Sequence, residues 1–137
     1  MNKIDKIKDW TNLKVKIELN YNKRIYFHEK ELWWISLGVN IGHEEDGKHK
    51  KYERPVLILK KFNKDIFWGL PLTSKNKQNR YYYKFDYKEK NATIRNKKGI
   101  IILSQIRTIS SKRLSRKIGK IDQAEYYKIE EVVKRLI

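Results

Sequence analysis

Residues 75–87 are the first place where this sequence could do chemistry. Lys75, Lys77, Arg80 and Lys84 are interleaved there with Tyr81, Tyr82, Tyr83 and Tyr87. Cations attract phosphates and tyrosine faces stack on unpaired bases, so the mixture suits a single-stranded nucleic acid. Strand alternation would turn about half of these tyrosines into a core, which leaves Tyr82 and the nearby cations as candidates. Gln105 and Arg107 fall on one face of an alternating run that ends at Ile109. There they could touch nucleic acid, or Arg107 could hold a loop by a salt bridge. A second cluster, His43-Glu44-Glu45-Asp46-Gly47-Lys48-His49, opens like the zinc motif H-E-x-x-H, but Gly47 stands in the second histidine's place. It reads as a solvated loop before it reads as a metal site, and His28 stands alone. With no cysteine there is no disulfide framework, no thiolate zinc site and no thiol nucleophile. Neither a Gly-rich phosphate loop nor a G-x-S-x-G elbow occurs, so no cofactor and no metal is implied.

The charge around these residues is uneven. The 137-residue chain carries 33 Lys and Arg against 16 Asp and Glu, a formal net charge of +17. A genome biased to A/T-rich codons would raise lysine everywhere. It would not strip acids from one block, yet residues 75–120 hold 15 basic and 2 acidic side chains. Residues 31–74 hold 7 and 6. A single-sign field of that size concentrates a polyanion at its surface. An acidic protein or a merely solvated face are the other readings. The start of the chain is too charged for a secretory signal, no apolar run approaches the roughly 18 residues of a membrane span, and the missing cysteines fit a reducing compartment. A cytoplasmic protein with no membrane partner is expected. At 39% hydrophobic and 12% aromatic residues, one modest core is within reach.

Ile4, Ile7, Trp10, Leu13 and Ile17 recur every three or four residues and predict a helix over residues 3–20, although Leu13 to Leu19 alternates like a strand. Residues 21–24 read as a turn. Leu32 to Gly38 is aromatic and β-branched, a strand signal. Residues 40–53 have no period and predict a long surface loop of the kind that often carries function. Residues 55–59 and 66–72 flank a polar turn and read as a hairpin, with Pro71 marking a strand end or edge. Further strands are expected at 81–87, 99–103 and 105–109, with a basic turn region at 91–98 and a basic stretch at 112–121 broken at Gly119. Asp122 is a good N-cap with Glu125 three residues on, and Tyr126, Ile129, Val132, Val133 and Leu136 form one helical face. The pattern predicts a mainly β protein: a small β-barrel with a helix before it and a helix after it.

Several stretches together resemble one family. Glu31-Leu32-Trp33-Trp34-Ile35-Ser36-Leu37-Gly38, followed by Gly42 and Glu44, resembles the opening strand and loop of the PemK/MazF toxins. Arg54-Pro55-Val56-Leu57-Ile58 resembles their second strand, and Pro71-Leu72-Thr73-Ser74-Lys75 the end of their third. Residues 102–109 resemble the late strand pair, and Arg113-Leu114, Lys117-Ile118-Gly119 and the C-terminal helix complete the order. The resemblance spans residues 29–137 and divides the chain into an N-terminal helical extension and linker, 1–28, and a toxin domain, 29–137. It implies an SH3-like barrel that forms a two-fold homodimer. It also implies the toxin of a type II toxin–antitoxin system, with an acidic antitoxin as partner. The implied activity is that of a metal-independent, sequence-specific endoribonuclease (an mRNA interferase) that cuts single-stranded RNA by attack of the 2′-hydroxyl. By motif, Arg54 and Thr73 take the catalytic places, with Glu44 as the acid and Glu45 beside it leaving the register open. Ser74, Lys75, Lys77, Arg80, Tyr82, Gln105 and Arg107 are the candidates for holding RNA. The sequence departs from the family pattern in a longer loop before Arg54, with Lys48 to Tyr52 inserted, and in the extension.

The residue chemistry agrees. Arg54 can donate two hydrogen bonds to one phosphate and stays charged at any physiological pH, which suits stabilising a charged phosphorane. Thr73 can hydrogen-bond a phosphate oxygen, and Glu44 is a candidate base. The plainer alternatives are an ion pair of Arg54 with Glu53 or Glu31, and a turn-forming hydroxyl at Thr73. The competing functions are a barrel that binds RNA without cutting it, and a CcdB-like topoisomerase inhibitor. The latter ranks lower because such inhibitors use a Trp-containing tail, whereas this chain ends Arg135-Leu136-Ile137.

Overall fold

A computed structural model describes residues 1–21, 24–90 and 96–137 of the chain. Helix α1 (Lys3–Glu18) precedes seven strands: β1 (Glu31–Ser36), β2 (Glu53–Lys61), β3 (Ile66–Thr73), β4 (Tyr82–Glu89), β5 (Lys97–Ile102), β6 (Arg107–Ser110) and β7 (Leu114–Lys120). Helix α2 (Gln123–Arg135) follows. The strands lie in the order β2-β1-β7-β4-β5-β3, and β3 pairs back onto β2, which closes a six-stranded antiparallel barrel. β6 adds to β3 alongside Ile66 to Gly69. A closed barrel leaves few strand edges to be managed. The expected mainly β fold with flanking helices is the fold found.

β2 explains why its sequence is continuously apolar rather than alternating. Leu57 and Leu59 join one core with Leu70, Leu72, Phe85, Ile101 and Ile129. Val56 and Ile58 point the other way, into a second core with Phe27, Trp33, Ile35, Phe67 and Leu114. Both faces of the strand are therefore buried. The hairpin to β3 turns at Asn63, whose side-chain oxygen accepts from the N–H of Asp65 at 2.8 Å and of Ile66 at 3.0 Å. A short polar side chain that mimics a backbone turn in this way is what fixes the reversal. α2 starts as its sequence predicts: Asp122 Oδ1 accepts from the Glu125 N–H at 2.8 Å. The helix buries Tyr126 and Ile129, and the Tyr126 hydroxyl donates to the Leu59 carbonyl at 2.7 Å. Burial, with nearby acids adding, pushes that phenol up to about 12.

Three expectations change. Residues 103–105 form a 3-10 turn, so the strand expected at 105–109 begins only at Arg107 and Gln105 is not part of it. The basic stretch 112–121, to which the sequence assigns no element, contains β7. Its pairing with β1 shifts register between Leu32 and Trp33 and again between Trp34 and Ile35, and such bulges erase a simple alternation. In α1 only Trp10 is buried. Ile4 and Ile7 of the predicted apolar face are exposed, because the helix docks on loops rather than on the barrel wall. The predicted turns at 21–24 and 91–98 lie partly outside the described residues, while Lys97 and Lys98 belong to β5. No helix among the described residues is long and apolar enough to cross a membrane.

Candidate functional site

Arg54 is the second residue of β2, opposite Ile35 of β1, and its side chain is only 11% exposed. Its Nε donates to the Asp46 carbonyl at 2.7 Å, and one terminal nitrogen donates to the Leu72 carbonyl at 2.8 Å. The other terminal nitrogen meets Glu45 Oε2 at 2.8 Å. A guanidinium has five N–H donors in a fixed fork, so three are held by the protein and two are left among the described residues. The plainer alternative, an ion pair with Glu53 or Glu31, does not form. Glu53 accepts from Ser115 at 2.7 Å and pairs with Arg116 at 3.1 Å. Glu31 pairs with Lys117 at 2.8 Å and accepts from the Trp33 indole at 3.0 Å and the His28 N–H at 2.8 Å. Burial alone would raise the Glu31 carboxyl, but these donors together hold it below its ordinary value of 4.5.

Arg54 lines the open mouth of the barrel, a cavity of about 450 Å³. Thr73 and Ser74 from the end of β3 and Lys98 from β5 share its wall, and Trp34 from β1 is beside them. Leu72, Tyr87 and Ile118 supply an apolar lining. That volume is within the range of small-ligand pockets, and a mostly apolar wall with a few converging polar groups is their usual make-up. Burial, with Glu89 adding, pushes the Tyr87 phenol up, so it stays uncharged. The acids at the rim are committed: Glu53 as above, and Glu89 to Lys97 at 2.7 Å. Lys48 and Lys98 have no acidic partner among the described residues, so the cavity is left with positive charge. The Thr73 hydroxyl oxygen accepts from the Lys75 N–H at 3.2 Å. The plainer turn role is therefore present, and the hydroxyl proton is still available to donate.

Glu44 and Glu45 part company. Glu45 bonds Arg54, whereas Glu44 is exposed and its Oε1 accepts from the Ile41 N–H at 2.9 Å within its own loop. Gln105 reaches that loop from across the barrel, accepting from the Glu45 N–H at 3.4 Å and donating to the His43 carbonyl at 3.1 Å. Arg107 lines a separate hollow of about 290 Å³ beside Gln105, Glu44 and Glu45. Lys75 and Lys77 are exposed on the segment after Thr73, with Lys77 5.9 Å from the Tyr82 ring centre. Arg80 and Tyr82 line a third hollow, beside the end of α2. The barrel mouth thus unites Arg54, Thr73 and Ser74 and leaves Arg80, Tyr82, Gln105 and Arg107 around it. Among the described residues no three His, Asp or Glu side chains converge to hold a metal. The cavity contributions of Trp34, Lys48, His49 and Lys98 were not singled out from the sequence. The signal for Trp34 was available: in β1 it alternates with the buried Trp33.

Comparison with known proteins adds an independent line. Residues 28–137 match the family model described as the PemK-like, MazF-like toxin of type II toxin–antitoxin systems. No curated protein matches the chain by sequence. Among solved structures, MazF from Deinococcus radiodurans superposes with a TM-score of 0.57 at 15% identity, covering 82% of this chain and 97% of that one. An endoribonuclease from a mycobacterial species, solved in complex with its cognate antitoxin, gives 0.57 at 13% identity, covering 80% and 93%. The Mycobacterium tuberculosis toxin MazF-mt6 gives 0.53 at 15% identity, covering 77% and 93%. At these identities the likeness establishes the fold.

Proposed function

The chain belongs to the PemK-like, MazF-like toxins of type II toxin–antitoxin systems, and from that premise we propose that it is an endoribonuclease. It cuts single-stranded RNA at chosen sequences, without a metal, by attack of the 2′-hydroxyl on the adjacent phosphate. The observation that carries this reading is the Arg54 guanidinium. Three of its donors are tied to Asp46, Leu72 and Glu45, so it is fixed before substrate arrives, and two remain on a side chain lining the cavity. Charge stabilisation by donors that need no reorganisation is worth about 10²–10³ in rate per donor removed.

In this mechanism the scissile phosphate lies between Arg54 and Thr73. Arg54 offers its two spare N–H groups to the phosphorane oxygens, and the Thr73 hydroxyl donates to one of them. Glu45, still held to the guanidinium through Oε2, takes the proton of the 2′-hydroxyl with its other carboxylate oxygen. The 5′-oxygen takes a proton from solvent water at the open mouth as its bond to phosphorus breaks and leaves as an alcohol, and the product ends are a 2′,3′-cyclic phosphate and a 5′-hydroxyl. We assign the acid of the site to Glu45 rather than Glu44, because a base must lie within hydrogen-bond reach of the reacting group. Ser74, Lys75, Lys77 and Lys98 hold the flanking phosphates. Trp34 and Tyr87 give the cavity aromatic faces for a base. Arg80 and Tyr82, and separately Gln105 and Arg107, extend the RNA path beyond it. Residues 29–137 form the toxin domain, active as a cytoplasmic homodimer, and the same basic surface receives an acidic antitoxin.

The test is cleavage of a mixed-sequence RNA in excess EDTA by wild type, Arg54→Ala and Thr73→Ala. Cutting by wild type alone supports the reading. Binding without products, across varied sequences, overturns it in favour of an RNA-binding barrel.

A further inference from the structure

The solved relatives are covered almost end to end, at 93–97% of their length, while 77–82% of this chain is used in the match. The family model begins at residue 28. Helix α1 lies before that point, so the shared barrel is built without it. α1 touches the turn at Lys112 and Arg113 and one loop, residues 37–52, and that loop supports Arg54.

The contacts run along one side of the helix. Lys3 Nζ meets Asp46 Oδ2 at 2.9 Å. Asp9 accepts from the Tyr52 hydroxyl at 2.6 Å, a bond that pushes the Tyr52 phenol up. Trp10, the one buried residue of α1, lies edge-on to Tyr52 with ring centres 6.0 Å apart and covers Gly38. A Cβ built on Gly38 would fall 2.1 Å from the Trp10 ring, and its φ of +84° already asks for glycine. The Arg113 guanidinium packs over the indole, 5.6 Å from the ring centre. At the far end Lys112 donates to the Glu18 carbonyl at 2.9 Å. Tyr52 belongs to the stretch, Lys48 to Tyr52, that lengthens the loop before Arg54. The added helix and the added loop are therefore each other's partners.

Asp46 is the junction. Its Oδ2 takes Lys3, its Oδ1 accepts from the Asn40 N–H at 2.6 Å, and its backbone carbonyl accepts from Arg54 Nε at 2.7 Å. Glu45, next to it, takes the other edge of the same guanidinium. A shift of Asp46 turns the fork that faces the cavity. Inside the loop, Asn40 ties Asp46, Glu45 and Leu37 together, and the Leu37 and Gly38 N–H groups donate to the Tyr52 carbonyl, so the loop moves as a unit. The outside partners that hold that unit at its tip are Gln105, Arg54 and, from α1, Lys3.

We propose that α1 is a clamp on the loop of residues 37–52, and that Lys3, Asp9 and Trp10 are positioning residues that act on Arg54 through Asp46 and Tyr52. The proposal rests on the reading of Arg54 as catalytic. The clamp itself does not, because loop mobility reports it without any cleavage.

The experiment compares the full chain with Lys3→Gln/Asp9→Asn/Trp10→Leu, and with Lys3→Gln alone, whose exposed ion pair is not needed for folding. Hydrogen exchange of peptides covering residues 39–53, and kcat and KM on an RNA oligonucleotide, are read together. In the triple variant, exchange over 39–53 should rise about tenfold while peptides from β2 and β5 stay protected. The kcat should fall about 10- to 100-fold, the scale of a small misplacement of a reacting group, with KM within about threefold. Lys3→Gln should move both readouts in the same direction by less, and Lys3→Arg should restore them. If the triple variant unfolds, the two Lys3 variants decide alone. Unchanged exchange over 39–53 overturns the clamp. Raised exchange with unchanged kcat overturns the positioning role. A wild type that cuts no RNA overturns the function proposed above, and the clamp is then judged on exchange.

Discussion

Replacing Arg54 by lysine keeps the charge and removes the fork. Lysine carries one compact ammonium with three donors, and at this site it cannot span the Asp46 carbonyl, the Leu72 carbonyl and Glu45, each held at 2.7–2.8 Å by a different edge of the guanidinium. It keeps one of these bonds at best. Two hydrogen bonds from a charged donor are lost, at about 1.5–3 kcal/mol each before the site relaxes. Because the side chain is only 11% exposed, water does not easily replace them. A net loss of about 2–4 kcal/mol in folding stability is expected, or roughly 10 °C in Tm for a chain of this length. The effect on cleavage is separate. Losing the paired N–H groups at the phosphorane should cost about 10²–10³ in kcat, with KM little changed because the charge that attracts RNA remains. The assay is single-turnover cleavage well below the variant's melting point, with the folded fraction checked by circular dichroism. An Arg54→Lys variant that cuts within about threefold of wild type would refute the argument that the planar fork, rather than the charge, does the chemistry. An unchanged Tm would refute its structural half.

The remaining predictions concern binding, pH and packing. Neutralising Lys75, Lys77 and Lys84 to glutamine should flatten the plot of log K against log salt for RNA by about 0.7 per lysine that touches a phosphate. Filter binding between about 50 and 200 mM salt would read this, and an unchanged slope would remove them from the RNA path. Glu31 is held below 4.5 in the folded state, so its contribution is present above that pH and is lost as pH falls through the lower folded value. Thermal melts from about pH 7 to 3 should therefore show wild type losing more Tm below pH 4.5 than Glu31→Gln does. Gly38→Ala should destabilise the chain by about 1–3 kcal/mol, through a left-handed backbone and collision with Trp10. A urea midpoint equal to wild type would contradict the α1 contact.

How much of this was legible beforehand differs by element. The hairpin, α2 and its Asp122 cap follow from local signals that the tertiary fold leaves intact. β7 did not, because Lys117 and Arg116 interrupt its apolar positions and two bulges break the period. Gln105 read as a strand residue because Gln105-Ile106-Arg107 alternates, yet Ile106 is 37% exposed and the backbone makes a 3-10 turn first. Arg54 and Thr73 were found by resemblance to a family rather than by periodicity, and the barrel brings both to one mouth although 18 residues separate them. Which of Glu44 and Glu45 meets Arg54 lay beyond any pattern. It is set by the path of the loop, which the positive φ values of Gly38 and Gly42 and the bonds from Asn40 to Asp46 and Glu45 determine. The docking of α1 was hidden for a similar reason: its most regular apolar residues, Ile4 and Ile7, face water, and a single tryptophan anchors it.

The central claim is a metal-free attack by the 2′-hydroxyl at a phosphate held by Arg54 and Thr73. The measurement that tests it most directly is the end chemistry of RNA cut in EDTA, read by sequencing with and without prior removal of cyclic phosphates. The account predicts a 2′,3′-cyclic phosphate and a 5′-hydroxyl at a recurring short sequence, and no new ends with Arg54→Ala or Thr73→Ala. Ends bearing a 5′-phosphate and a 3′-hydroxyl, or cutting that survives both substitutions, would contradict it.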